Sequence, residues 1–152
     1  MTKSEKKSFY ESRIMAEFWL SEEQQIDMIE LKDKALLLNY IKTHFLSEAA
    51  EFRLIELGDR GLFKAYIKNS HLSDAAEIYL IEHGKKSLFK AYFKKHFICD
   101  EAEMRLIKLE NIKPFKAYIN ECTLTYKVER KLLKSSNQKL IKIYKKKYYY
   151  KF

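Results

Sequence analysis

The chain has 152 residues, 47% of them apolar and 34% charged, and a formal net charge of +9. That balance fits one globular domain and excludes a disordered or collagen-like chain. Three glycines and one proline are too few breakers for a turn-rich sheet fold, and two cysteines, Cys99 and Cys122, are too few for a disulfide scaffold.

Residues 1–19 begin basic, but Glu5, Glu11 and Glu17 interrupt them, so the uninterrupted apolar stretch of a signal peptide is absent. No apolar run in the chain approaches the roughly 18 residues of a membrane span. The expectation is a soluble, cytoplasmic protein with free thiols. Phe9, Tyr10, Ile14, Met15, Phe18 and Trp19 predict an amphipathic helix that caps whatever follows.

From Leu20 the chain repeats every 26 residues without insertion, in units 20–45, 46–71, 72–97, 98–123 and 124–149. A fixed period of this kind marks an array in which each unit buries its apolar face against its neighbours. Numbering each unit from 1, positions 5, 7, 9 and 10 are apolar or small, as in Ala76, Ile78, Leu80 and Ile81, which predicts a first helix. Ser21 with Gln24, Asp74 with Glu77 and Asp100 with Glu103 have capping-box spacing, and Ser47 and Thr125 read as simple caps. Gly58 and Gly84, both at position 13, predict left-handed helix ends. A second helix follows through LFKAYIK, LFKAYFK and PFKAYIN, with Pro114 in its first turn, where a missing amide costs nothing. Ala65, Ala91 and Ala117 at position 20 predict close helix approach.

The expected fold is all-α: an α-solenoid of five helical hairpins behind an N-terminal capping helix. The arrangement resembles the HEAT, armadillo and tetratricopeptide class of helical-hairpin repeats over residues 20–149. The 26-residue unit is shorter than theirs, and the tetratricopeptide Trp/Gly/Tyr pattern is missing. What the resemblance implies is a scaffold that offers an extended surface to a partner.

Position 19 is Lys64, Lys90, Lys116 and Lys142 in units two to five, and position 23 is Lys42, Lys68, Lys94 and Lys146. Four residues apart, they share one face of the second helix. Position 21 is Tyr in every unit, including Tyr66, Tyr92 and Tyr118, placed to bury a ring and leave its hydroxyl at the surface. Two readings stand side by side: a basic, tyrosine-edged groove for phosphates or an acidic segment, or a solvated face multiplied by duplication. Glu51, Glu77, Glu103 and Glu129, at position 6, suit the positive end of a helix dipole. Residues 124–152 hold ten Lys or Arg against one acid, Glu129, so the whole formal charge of +9 sits there. Lys142, Lys145, Lys146, Lys147, Tyr148, Tyr149 and Tyr150 could neutralise phosphates and stack bases, meet an anionic membrane, or form a polar cap with a frayed end.

No Gly-rich phosphate loop, nucleophile elbow or zinc spacing is present; His44 and His96 share position 25 but lie two units apart, and His71 and His83 sit near opposite ends of hairpins. The functional reading is therefore a non-enzymatic scaffold without cofactor or metal. Its acidic protein partner would meet Lys64, Lys68, Lys90, Lys94 and Lys116 with the edges of Tyr66, Tyr92 and Tyr118. Nucleic-acid binding through the lysine ladder and the C-terminal residues is the alternative, and membrane attachment is not expected.

Overall fold

A computed structural model describes residues 1–149 as eleven α-helices, with no strand among them. α1 (Lys3–Met15) precedes five pairs. These are α2 (Glu22–Glu30) with α3 (Lys34–Ile41), α4 (Glu48–Leu57) with α5 (Arg60–Ile67), α6 (Asp74–His83) with α7 (Lys86–Phe93), α8 (Asp100–Lys108) with α9 (Lys113–Glu121), and α10 (Tyr126–Lys134) with α11 (Gln138–Tyr148). Helices of eight to eleven residues are marginal alone, so each depends on its neighbours.

The packing order is solenoid-like. Each first helix lies against the first helix of the next unit, and each second helix against the next second helix. Two layers result, which we call A and B. α1 packs mainly on α3, so it extends layer B by one helix. Its Tyr10 is buried and donates to Asp27 at 2.6 Å, while Lys6 holds the other Asp27 oxygen at 2.7 Å. The helix stops at Met15, and Glu17 turns the chain with a positive φ of 59°. Met15, Phe18 and Trp19 are therefore exposed and do not join the expected apolar face.

The core is one continuous cluster running the length of the array, from Tyr10 to Tyr144. Positions 5 and 9 supply its most deeply buried row in layer A: Ala50, Leu54, Ala76, Leu80, Ala102 and Leu106, with Met28, Val128 and Leu132 in the outer units. No helix among the described residues is long and apolar enough to cross a membrane.

Several local expectations need correction. Only Ser21 and Gln24 form a capping box. The α6 cap is Ser73, one residue before Asp74, and the α8 cap is Cys99, which makes no side-chain cap bond. Thr125 also leaves its helix uncapped and donates its hydroxyl to Glu103 at 2.8 Å. Glu77 and Glu103 are unavailable for capping because they point into the array. Gly58 is left-handed, with φ of 67°, but Gly84 is extended, at φ −73° and ψ 151°. Glycine stands there because a Cβ would lie 2.5 Å from the Leu80 carbonyl oxygen.

In the first unit the left-handed position is taken by Lys32, with φ of 57°. That conformation costs a side-chain-bearing residue about 1 kcal/mol. Lys32→Gly should therefore raise unfolding free energy by up to about 1 kcal/mol, less the entropy glycine adds to the unfolded chain, as read by urea denaturation.

Candidate functional site

Position 6 and position 21 meet inside every unit. Tyr66 donates to Glu51 at 2.7 Å, Tyr92 to Glu77 at 2.6 Å, Tyr118 to Glu103 at 2.8 Å and Tyr144 to Glu129 at 2.5 Å. The second carboxylate oxygen reaches into the next unit, where it accepts the position 2 amide: Ser73 at 3.2 Å, Cys99 at 2.9 Å and Thr125 at 3.0 Å. In the first unit Gln25 does the same with a neutral amide, accepting from Ser47 at 2.8 Å and donating to Tyr40 at 3.3 Å. At Glu129 the oxygen not engaged by Tyr144 accepts from the Tyr149 hydroxyl at 2.8 Å.

These groups are interior. Glu51, Glu77 and Glu103 are buried, as are all five position 21 tyrosines. Burial, joined by the adjoining carboxylate, holds the hydroxyls of Tyr66, Tyr92, Tyr118 and Tyr144 well above the usual tyrosine range, so they stay protonated donors. Burial also raises the Glu51 carboxyl above its ordinary 4.5, against the opposing bonds from Tyr66 and Ser73.

A second tie links units through position 25. His96 Nε2 donates to the Ile67 carbonyl oxygen at 2.7 Å, Cys122 Sγ contacts that of Phe93 at 3.8 Å, and Tyr148 donates to those of Ile119 and Cys122. Each relieves an orphan carbonyl at the C-terminus of a layer B helix. Cys99 and Cys122 are both free thiols, and burial pushes Cys99 up to about 12, away from thiolate chemistry.

The two outer faces differ in charge. On layer A, Arg53 Nε bonds Glu30 of the preceding unit at 2.9 Å, Tyr79 donates to Glu56 at 2.7 Å, and Arg105 Nε bonds Glu82 at 3.1 Å. Positions 8 and 11 thus bond each other across three unit boundaries, by an ion pair at two of them and a tyrosine hydroxyl at the third. On layer B, Lys64, Lys68, Lys90, Lys94 and Lys116 are exposed, and among the described residues none is in an ion pair.

The ladder lysines line consecutive furrows between layer B helices. The α5/α7 furrow, about 480 Å³, is lined by Arg60, Lys64, Lys86, Lys90, Lys94 and Lys95. A smaller one between α7 and α9, about 180 Å³, reuses Lys86 and Lys90 and adds Lys113 and Lys116. The α9/α11 furrow, about 310 Å³, reuses Lys116 and adds Lys146 and Lys147. No acidic residue lines any of the three, and Ala91 and Ala117 help form their floors.

The tyrosines sit elsewhere than expected. Tyr66, Tyr92 and Tyr118 are 3%, 0% and 0% exposed, so their rings give the furrows no edge, and their hydroxyls serve the array instead of the surface. The signal was in the sequence, since Glu at 6 and Tyr at 21 accompany each other in units two to five while the first unit pairs Gln25 with Tyr40. Lys142 and Lys146 are exposed on α11, Lys145 and Lys147 are half-buried, and Tyr148 and Tyr149 are tied to the preceding residues as described. Tyr150 lies outside the described residues.

Asp74, Glu77 and Cys99 bring potential ligand atoms within 4.8 Å of one another, but both Glu77 oxygens already accept from Tyr92 and the Cys99 amide. His71 and His96 meet edge to face at 4.9 Å across a unit boundary.

Two outcomes follow for the buried row. Tyr92→Phe should lower unfolding free energy by about 1–3 kcal/mol in urea, because a buried carboxylate loses its strongest donor. Glu51→Gln should fold with the geometry of Gln25. Because the Glu51 carboxyl is raised in the folded state, its stabilising contribution is complete below pH 4.5 and is lost as pH rises through the folded value. Wild type should thus lose stability relative to Glu51→Gln on going from pH 4.5 toward neutrality, and a difference independent of pH would contradict this.

Compared with models of protein families, with curated proteins and with solved structures, the chain matches none.

Proposed function

We propose that the protein is a non-enzymatic binding scaffold whose layer B face holds an acidic segment of a partner protein. The observation that carries this reading is the contrast between the faces. Layer A carries ion pairs between units, Glu30 with Arg53 and Glu82 with Arg105, whereas layer B gathers cations into linked furrows with no acid in the lining. Neighbouring units stand about 10 Å apart, close to one Debye length at physiological salt, so the lysines repel each other until an anion intervenes. An extended polypeptide advances about 10 Å in three residues, which matches one carboxylate to each unit.

Lys64, Lys90 and Lys116 supply the attraction from the middle of their helices, and Lys68 and Lys94 flank them at the C-terminal caps. Nucleic acid fits this face less well. Non-specific single-strand binding uses exposed aromatic rings as stacking platforms, and the rings of this face are buried.

The test is titration of poly-glutamate and of single-stranded and duplex oligonucleotides at several salt concentrations, against wild type and a Lys64→Glu/Lys90→Glu/Lys116→Glu variant. Wild type should bind poly-glutamate with an affinity that falls with salt, and the variant should bind at least about tenfold more weakly at unchanged helicity. Unaltered binding by the variant, or a preference for oligonucleotide over poly-glutamate, overturns the reading.

A further inference from the structure

The exposed large apolar side chains are not scattered. Among the described residues all of them apart from Met1 belong to the edge where layer B helices end and layer A helices begin: Met15, Phe18, Trp19, Phe45, Phe97, Tyr126 and Tyr149. Trp19, Phe45 and Phe97 are 66%, 80% and 73% exposed and share one register position, the last residue before a new unit. Contacts run along this line. The Trp19 ring meets His44 at 4.3 Å, and His71 Nε2 lies 3.1 Å from the Phe97 carbonyl oxygen.

Charged rows flank the rings on both sides. Each layer A helix from α2 to α8 opens on an exposed acid, namely Glu22, Glu48, Asp74 or Asp100. The layer B helices α3, α5 and α7 close on exposed Lys42, Lys68 and Lys94. Helix dipoles favour both placements, and the antiparallel hairpin brings both ends to one edge. The edge therefore reads, from layer A to layer B, acid, ring, lysine.

That order selects the occupant. An anionic lipid surface or a nucleic acid would gain from the lysines and be repelled by the acids. A second copy of the chain, turned by a two-fold axis lying along the row of rings, reverses the order of its own rows. Each acid then faces a lysine of the same unit, Glu48 against Lys68 and Asp74 against Lys94, while ring faces ring. The other in-plane two-fold axis would set lysine against lysine. From Trp19 to Phe97, three unit steps, the edge covers about 30 Å by the thickness of two helical layers, about 20 Å, giving roughly 600 Å² per partner, the lower end of the range for specific stable interfaces. The pattern fades in the fourth unit, where Asn120 and Thr123 replace lysine and ring.

We infer that two copies of the chain associate edge to edge as an isologous dimer, through the loop rings Trp19, Phe45 and Phe97 with Glu48–Lys68 and Asp74–Lys94 pairs on either side. The acidic partner draws mainly on Lys64, Lys90 and Lys116 in the middle of the layer B helices, and the two surfaces share only Lys68 and Lys94 at the helix ends. The dimer leaves Lys64, Lys90 and Lys116 free, so their triple substitution should not alter it.

Sedimentation equilibrium of the full chain across the micromolar range reads the association directly. Wild type should sediment as two chains. Phe45→Ser/Phe97→Ser should weaken association at least about 100-fold with unchanged far-UV circular dichroism. Lys68→Glu should weaken it as well, and adding Glu48→Lys to that variant should restore it, because the swapped pair is again complementary. A chain that is monomeric throughout, or a dimer indifferent to the loss of both rings, overturns the inference. So does a monomer that sediments with phosphatidylserine vesicles, or that binds an oligonucleotide, in a manner dependent on the same rings.

Discussion

The array is held in register by a buried carboxylate with one oxygen in its own unit and the other in the next. Glu51, Glu77 and Glu103 each accept a tyrosine hydroxyl across the hairpin and a backbone amide across the unit boundary. A buried carboxylate is costly unless its lone pairs are satisfied, and here donors from two other chain segments converge on it. Hydrophobic contact alone would let helical layers slide by a ridge. A short, directional bond to a fixed amide does not. The first and fifth units obey the same requirement: Gln25 meets it without charge in the first, and at Glu129 in the fifth Tyr149 supplies the second donor.

Because that register is fixed, matching surface positions face the same way, and the two faces acquire opposite characters. Layer A carries the cross-unit pairs Glu30 with Arg53 and Glu82 with Arg105, exposed and individually worth little. Layer B repeats lysine where its neighbour also has lysine. The small residue at position 20 lets adjacent helices approach and leaves a shallow furrow above the seam. Charge and concavity thus coincide on one face, while the exposed rings collect on the edge.

Much of the architecture was legible because it depends on periodicity. The 26-residue register, the apolar stripe of each first helix, Pro114 near the start of α9 and the shared lysine face all survive in the folded chain. The site was legible in its cations and not in its rings. A tyrosine beside a lysine on a helical wheel reads as a surface residue with its hydroxyl in water. Its true partner lies 15 residues earlier on another helix, beyond any single-helix pattern. Glu77 and Glu103 misled in the same way, since three-residue spacing from an acid mimics a capping box when the bond is to tyrosine. At Gly84 the sequence named the residue and hid its reason, which is the Leu80 carbonyl and not a left-handed turn.

The sequence by itself determined that the chain is an array of equivalent helical hairpins and that lysines recur on the second helix of most units, because spacing along one helix follows from local geometry. Only the tertiary structure decided which polar groups are interior, which charges cancel and which edge the loop rings share. Those properties depend on where separate helices meet, and that meeting is set by the bond between position 6 and the following unit.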